Sequence, residues 1–190
     1  MELSLRPANE GDFAFCEVLC RSNMSRYLTA KDIAWEPSRF LASWAEFENL
    51  MILLDSQAVG TLRLLPEQAG LGLRDLQVGP EHQRKGLGSW AIRQAQAIAE
   101  GRGFTQLYLR VYEENPAAAL YARLGFKVES VMAGTVHMVW ELPPNQSFKP
   151  TLLRSTKPMA GRACHGFGSA TQRGLTQSLG ATPTDFRELK

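Results

Sequence analysis

The chain has 190 residues and a net charge of +2, and its 44% apolar and 21% charged residues are typical of a globular protein. No stretch approaches the roughly 20 apolar residues of a membrane-spanning helix, and the N-terminus lacks the basic and then apolar pattern of a signal peptide. Three cysteines are too few for a disulfide framework, so we predict a reduced, cytoplasmic protein.

The composition changes at Pro143. Residues 143–190 hold seven basic and two acidic residues, a net charge of +5, which leaves −3 on residues 1–142. The first part alternates apolar runs with helical patterns, whereas the second is rich in Ser, Thr, Gly, Pro and Arg without lasting periodicity. We therefore predict one folded domain over 1–142 and a basic, disordered tail over 143–190. The acidic balance of the domain argues against a specific nucleic-acid surface.

The domain has the predicted element order βα(α)βββαβαββ. Its first half predicts a strand, two helices and two strands, over 3–6, 8–28, 37–47, 50–54 and 58–65. Its second half predicts a strand, a helix, a strand, a helix and a final hairpin, over 71–78, 86–102, 106–111, 116–124, 126–131 and 136–142. This order predicts a mixed α/β fold, with a mostly antiparallel central sheet flanked by helices.

A loop rich in glycine and polar residues joins the strand at 71–78 to the next helix. It reads Gln83-Arg84-Lys85-Gly86-Leu87-Gly88-Ser89. Such a helix start exposes backbone N–H groups and a partial positive charge, which suits a phosphate. The spacing of a Walker loop is absent. A Rossmann fingerprint is matched only superficially, because seven residues separate Gly86 from the strand where a tight turn is required.

A second pattern, Asn-Pro-Ala-x-x-Leu-Tyr-x-x-Leu-Gly-Phe, spans residues 115–126. Asn115 is predicted as a helix N-cap and Gly125 as the helix end. The two motifs together resemble the signatures of the GNAT superfamily of N-acetyltransferases, over roughly residues 1–142. The resemblance implies the GNAT fold, acetyl-CoA as co-substrate without a metal, and direct acetyl transfer to a primary amine of a small molecule, a peptide or a protein.

The resemblance also implies a cofactor site. Backbone groups of Leu76, Gln77 and Val78 would face the pantetheine arm, and an N–H near Val78 would polarise the acetyl carbonyl. The loop residues implied to hold the pyrophosphate are Gln83, Arg84, Lys85, Gly86, Leu87, Gly88 and Ser89. The residues implied to contact the cofactor from the second motif are Asn115, Ala118 and Tyr121. Tyr121 matches the tyrosine acid that assists the departing thiolate.

The general base is less well determined. Asp75 matches a position where some relatives carry a carboxylate, although a surface salt bridge with Arg74 explains it equally well. His137 and a chain of waters are alternatives. The family builds its acceptor pocket from the first two helices and their loop, where the rings of Tyr27 and Trp35 would suit a cationic amine. Core packing is the alternative for both rings.

Two rival functions stay open at this stage. The first is a non-catalytic module that binds acyl-CoA on the same fold and turns over no amine. The second is a Rossmann-type oxidoreductase that prefers NAD. We expect no membrane or specific nucleic-acid partner, and either a monomer or a homodimer.

Overall fold

The computed structural model of the chain describes residues 2–143, so the predicted tail lies outside the described residues apart from Pro143. One sheet of seven strands has the order β1-β2-β3-β4-β5-β7-β6. The strands are β1 (Leu3–Pro7), β2 (Glu48–Leu54), β3 (Gln57–Glu67), β4 (Gly70–Val78), β5 (Gln106–Tyr112), β6 (Lys127–Met132) and β7 (Thr135–Glu141). The helices in this range are α1 (Phe13–Ala30), α2 (Pro37–Glu46), α3 (Leu87–Gly101) and α4 (Ala117–Arg123). Within residues 2–143, no helix has both the length and the apolarity needed to span a membrane.

The sheet confirms the predicted element order and fold class. Only β4 and β5 pair in parallel, and every other neighbouring pair of these strands is antiparallel. The Rossmann alternative is therefore wrong, because that fold requires a mostly parallel sheet.

Helices cover both faces of the sheet. Ala91, Ala95 and Ala99 of α3 are fully buried against the larger core cluster, which also contains Tyr121 of α4. Small side chains at these positions allow α3 to lie close to the strands. Cys16 and Cys20 of α1 and Phe40 of α2 form a second cluster on the opposite face, together with Met51 of β2. Both cysteines are buried and form no disulfide within residues 2–143.

The chain enters α1 through a short 3-10 turn at Glu10–Asp12. Asn9 caps this turn, since its Oδ1 accepts from Gly11 N at 2.9 Å, while Asp12 Oδ2 accepts from Asn9 N at 2.8 Å. Asp12 also accepts two hydrogen bonds from Arg6 of β1, at 2.7 and 2.8 Å. The cap and the ion pair together fix α1 against the first strand.

A bulge in β4 opens the centre of the sheet. Arg63 of β3 pairs with Asp75 whereas Leu64 pairs with Leu73, so Arg74 is the extra residue. The pairing of β4 with β5 stops at Leu73, although β5 continues to pair with β7 as far as Tyr112. The two strands therefore separate, and we call the gap between 76–78 of β4 and 110–112 of β5 the slot.

Candidate active site

The β4 edge of the slot presents backbone groups. Gly79 N donates to Val59 O at 2.8 Å, and alternation along an antiparallel pair then turns the backbone of Gln77 towards β3. The N–H and C=O groups of Leu76 and Val78 consequently face the slot. The Val78 oxygen supports this orientation, since it accepts side-chain hydrogen bonds from Asn23 of α1 at 3.1 Å and Gln83 at 3.0 Å.

The glycine loop leads into the N-terminus of α3 without a side-chain cap. Gly86 has a φ of 88°, in the left-handed region that favours glycine, and a Cβ there would meet no atom within 4 Å. The first helical hydrogen bond runs from Trp90 N to Gly86 O, so the N–H groups of Leu87, Gly88 and Ser89 have no partner within the helix. These free donors and the open space fit a phosphate group of a nucleotide cofactor.

The side chains of the loop divide into two sets. Arg84 and Lys85 are exposed beside the helix start and supply positive charge. Gln83 is also exposed, and its amide ties the loop to Val78. Leu87 is 5% exposed in the core, and a Cβ on Gly88 would lie 3.2 Å from Leu120 of α4. The loop is thus held between the slot edge and the contact of α3 with α4.

Tyr121 lies on the α3 side of the sheet. It belongs to the larger core cluster, and its ring centroid is 5.9 Å from that of Phe126. Burial raises the pKa of the hydroxyl above 10, and the negative charge of Asp75 adds to the rise. Tyr121 therefore stays protonated at neutral pH and is a hydrogen-bond donor.

Asp75 lies on the α1 side of the sheet, among buried polar groups. Its Oδ1 accepts from Gln77 Nε2 at 2.7 Å, and its buried Oδ2 lies 3.8 Å from Arg63 Nη1 without a hydrogen-bond donor in residues 2–143. Burial raises the pKa of this carboxyl, whereas Arg63, Gln77 and the Cys20 thiol oppose the rise. A carboxyl with a raised pKa is a better proton acceptor near neutral pH than an exposed one.

The proposed surface salt bridge between Asp75 and Arg74 is wrong. Arg74 pairs with Glu67 of β3, and Arg63 is the cation beside Asp75. Arg63 is 3% exposed and is held by Asn49 and Ser43. The alternative base His137 lies on β7 opposite Arg110 and Ser130, in the half of the sheet beyond the slot.

The second motif holds its residues mainly by local contacts. Asn115 Oδ1 accepts from Ala117 N at 2.9 Å, so the side chain caps α4 as predicted. Ala118 N donates to Asn115 O at 3.1 Å, and the Ala118 side chain packs on the larger core cluster. Glu114 forms an exposed ion pair with Lys31 of α1 at 3.2 Å. The capping bond commits Asn115 Oδ1 to the helix, which leaves its Nδ2 for other contacts.

The two predicted acceptor residues lie in different surroundings. Tyr27 is 7% exposed; its ring lies 5.9 Å from that of Tyr112 at the end of β5, and Arg26 covers one of its faces at 4.4 Å. The Tyr27 side chain thus packs α1 against the β5 edge of the slot. Trp35 packs on Phe40 at 5.7 Å in the second core cluster, and its buried Nε1 has no partner among residues 2–143.

Two functional side chains were not identified from the sequence. Asn23 was not selected, since a single polar residue in a helix carries no pattern. Arg63 was missed although it stands between Leu62 and Leu64 in an apolar strand, where a charge requires a buried partner. The bulge in β4 also leaves a signal in the sequence, because the apolar positions of the strand shift from odd numbers at Leu73 to even numbers at Leu76. In the described part of the chain, no group of three His, Cys, Asp or Glu residues is placed to hold a metal ion.

Comparisons with known proteins agree with this architecture. The sequence model described as the Acetyltransferase (GNAT) family matches residues 14–126. No curated protein sequence matches the chain. Among solved structures, PaiA N-acetyltransferase from Thermoplasma acidophilum in complex with coenzyme A has a TM-score of 0.61 at 18% identity, covering 75% of this chain and 100% of that one.

Two further solved structures are similar to a comparable degree. An acetyltransferase from Thermus thermophilus has a TM-score of 0.62 at 23% identity, covering 75% of this chain and 98% of that one. The ribosomal-protein-S18-alanine N-acetyltransferase from Escherichia coli has a TM-score of 0.59 at 19% identity, covering 77% and 100%. At these identities the likeness shows a shared fold.

Proposed function

Because the chain belongs to the Acetyltransferase (GNAT) family, we propose that it transfers an acetyl group from acetyl-CoA to a primary amine of a small molecule, a peptide or a protein. The observation that carries this proposal is the slot, which has the candidate base Asp75 on one face of the sheet and the candidate donor Tyr121 on the other. A primary amine needs both a proton acceptor and stabilisation of the thiol it displaces.

The cofactor side of the proposal rests on the glycine loop and the β4 edge. The free N–H groups of Leu87, Gly88 and Ser89 would bind the pyrophosphate, and Arg84 and Lys85 would add charge from the exposed side of the loop. The backbone of Leu76 and Val78 would bind the pantetheine arm along the slot. Gln77 differs from these two residues, since its backbone faces β3 and its side chain contacts Asp75.

The chemical step has one bond forming and one breaking. The amine nitrogen bonds to the acetyl carbon, the carbon–sulfur bond breaks, and the products are an amide and CoA. The Val78 N–H donates to the carbonyl oxygen where negative charge develops. Asp75 accepts the proton that the amine loses. Tyr121, whose raised pKa disfavours giving up its proton, donates a hydrogen bond to the departing sulfur, which then gains a proton from solvent.

Release of the CoA thiol from acetyl-CoA tests the proposal. The full chain is incubated with acetyl-CoA and a panel of polyamines, amino sugars and peptides with free N-termini, and the thiol is measured with a colorimetric reagent. Amine-dependent release that Tyr121→Phe lowers would support acetyl transfer. Binding of acetyl-CoA without release by any amine would instead favour the non-catalytic acyl-CoA module.

A further inference from the structure

Two side-chain amides connect the slot edge with the candidate base. Asn23 Nδ2 donates to Val78 O at 3.1 Å and to Gln77 Oε1 at 3.0 Å. Gln77 Nε2 then donates to Asp75 Oδ1 at 2.7 Å. Because an amide nitrogen only donates and an amide oxygen only accepts, a flip of either amide would break this chain of bonds. Gln77 is 7% exposed, so water cannot readily replace its partners.

The chain of amides makes the two oxygens of Asp75 unequal. Oδ1 is occupied by Gln77, whereas Oδ2 has no hydrogen-bond donor within residues 2–143 and faces Arg63 Nη1 at 3.8 Å. We propose that Gln77 and Asn23 are positioning residues, which fix the orientation of the Asp75 carboxylate, the candidate acceptor of the amine proton. This inference rests on the function proposed above and extends it to Gln77 of the β4 edge and Asn23 of α1.

Groups from every neighbouring element act on the Asp75 carboxyl. Arg63 faces it from β3, and Cys16 and Cys20 face it from α1. The Leu76 N–H contributes from its own strand, whereas Tyr121 of α4 couples to it from the opposite face of the sheet. Burial raises the pKa of Asp75, and the hydrogen bond from Gln77 opposes the rise by favouring the charged form. Loss of that bond therefore raises the pKa further.

Carbon-13 NMR of the full chain, labelled at the aspartate carboxyl carbons, tests the contact without any substrate. The Asp75 resonance is assigned by its absence in Asp75→Asn. We expect Gln77→Met, which keeps the volume without a donor, to raise the Asp75 titration midpoint by about one pH unit. Asn23→Leu should raise it less, since Gln77 loses only its anchor. Gln57→Met, at an exposed position in β3, is the matched control and should leave the midpoint unchanged.

If Gln77→Met disturbs folding, Asn23→Leu still tests the inference, because Asn23 is only half-buried on α1. Unchanged midpoints in both variants would overturn the inference. The second readout is the pH profile of kcat/KM with an amine that the wild type accepts, whose acidic limb should move with the NMR midpoint. If the Asp75 titration midpoint shifts but the acidic limb of the kcat/KM profile does not, the amides have only a structural role and the proposal is overturned.

The proposed function and the positioning role of the two amides can be overturned separately. A wild type that acetylates none of the amines would overturn the proposed function and, with it, the catalytic meaning of the two amides. The NMR shift would still appear in that case, since it depends on the contact alone. Turnover by the wild type with unchanged midpoints would leave the function standing and remove only the positioning role of Gln77 and Asn23.

Discussion

Arg63 Nη1 lies 3.8 Å from Asp75 Oδ2 between two adjacent strands, and the guanidinium is covered by aromatic rings. The Arg63 guanidinium carbon is 4.6 Å from the ring centre of Phe40 and 4.9 Å from that of Phe47. Its side chain is 3% exposed, and this burial lowers the pKa of Arg63. The attraction between the two charges therefore offsets part of the hydration that each group loses on burial.

Replacement of Arg63 should destabilise the fold in a pH-dependent way. Arg63→Leu leaves the buried carboxylate unpaired and is expected to cost about 3–5 kcal/mol of unfolding free energy at pH 8. Without its cation the folded-state pKa of Asp75 lies still further above the unfolded value. The loss relative to the wild type is therefore full above the folded-state pKa of Asp75 in the variant, and it shrinks as the pH falls through that pKa, because a protonated Asp75 needs no cation. Urea unfolding at pH 8 and pH 5 measures the difference.

The double variant Arg63→Leu/Asp75→Leu is the control for this prediction. It removes both charges at once and should recover most of the stability lost by Arg63→Leu alone. A single variant as stable as the wild type at pH 8 would show that Asp75 does not depend on Arg63.

A negative side chain at the glycine loop should prevent CoA binding. Gly86→Asp places a carboxylate beside the N-terminus of α3, where the pyrophosphate is proposed to bind, and repels it. The loop has room for the new side chain, so the fold should survive with a backbone cost of about 1–2 kcal/mol. Isothermal titration with CoA is the measurement, and we expect no binding at millimolar ligand.

Gly103→Asp is a closely matched control. Gly103 follows the other end of α3, has a φ of 79°, and a Cβ there also meets no atom within 4 Å. The same substitution therefore introduces the same strain and charge far from the loop. Equal loss of CoA binding in both variants would mean that strain, and not the position of the charge, is responsible.

Removal of the Tyr121 hydroxyl should slow catalysis far more than it weakens binding. The hydroxyl makes no hydrogen bond within residues 2–143, so Tyr121→Phe should keep the wild-type unfolding free energy within about 1 kcal/mol. Loss of one donor to developing negative charge is expected to lower kcat by about 10²–10³. Steady-state kinetics with the best amine found measures kcat, and titration measures the CoA affinity.

Tyr108→Phe tests whether any tyrosine near β5 has this effect. The Tyr108 hydroxyl is buried without a hydrogen-bond partner in the described range, next to Arg74. Its removal should change kcat by less than about twofold. Wild-type kcat in Tyr121→Phe would show that Tyr121 serves packing alone.

The ion pair before α1 should stabilise the protein only above acidic pH. The hydrogen bonds from Arg6 are the main cause that lowers the pKa of Asp12 below its usual value. A lowered folded-state pKa gives stability that is present above the unfolded value and lost as the pH falls through the folded one. Asp12→Asn should therefore cost about 1–2 kcal/mol at pH 7, since Arg6 is partly exposed, and much less at pH 2.

Urea unfolding at the two pH values measures this effect. Asp32→Asn is the control, because Asp32 is exposed and both Asp and Asn tolerate its φ of 54°. It should change the unfolding free energy by less than about 0.5 kcal/mol at either pH. A cost for Asp12→Asn that persists undiminished at pH 2 would contradict the electrostatic explanation.

Residues 1–143 should bind CoA as the full chain does. The proposed cofactor groups lie between Leu76 and Tyr121, and the last strand is fixed beyond its end by the bond from Leu142 N to Thr105 O at 2.8 Å. CoA at a hundredfold excess over its Kd should stabilise both forms by about 2.7 kcal/mol. Thermal unfolding with and without CoA compares them. A truncated chain without this shift would place part of the site beyond residue 143.

Structural features that depend on neighbouring residues along the chain could be predicted from the sequence. The cap at Asn115 and the glycine loop could be predicted because a few adjacent residues determine them. The partners of Asp75 were missed, since Arg63 and Gln77 reach it through strand register and α1 packs over them. A ring in a loop can line a pocket or fill a core, and sequence alone did not decide between these for Trp35.

The bulge at Arg74 determines which face of the sheet each later side chain of β4 points to. If Arg74 were paired like its neighbours, with no bulge, the odd-numbered positions of β4 would all face α3, as Leu71 and Leu73 do. Asp75 and Gln77 would then enter the apolar interior, and Leu76 would turn towards α1. Deletion of Arg74 would instead leave Asp75 directly after Leu73, on the α1 side where it already lies, and would remove the bulge that accompanies the separation of β4 from β5. The bulged conformation of Arg74 thus keeps the candidate base and the candidate hydrogen-bond donor on opposite faces of the sheet.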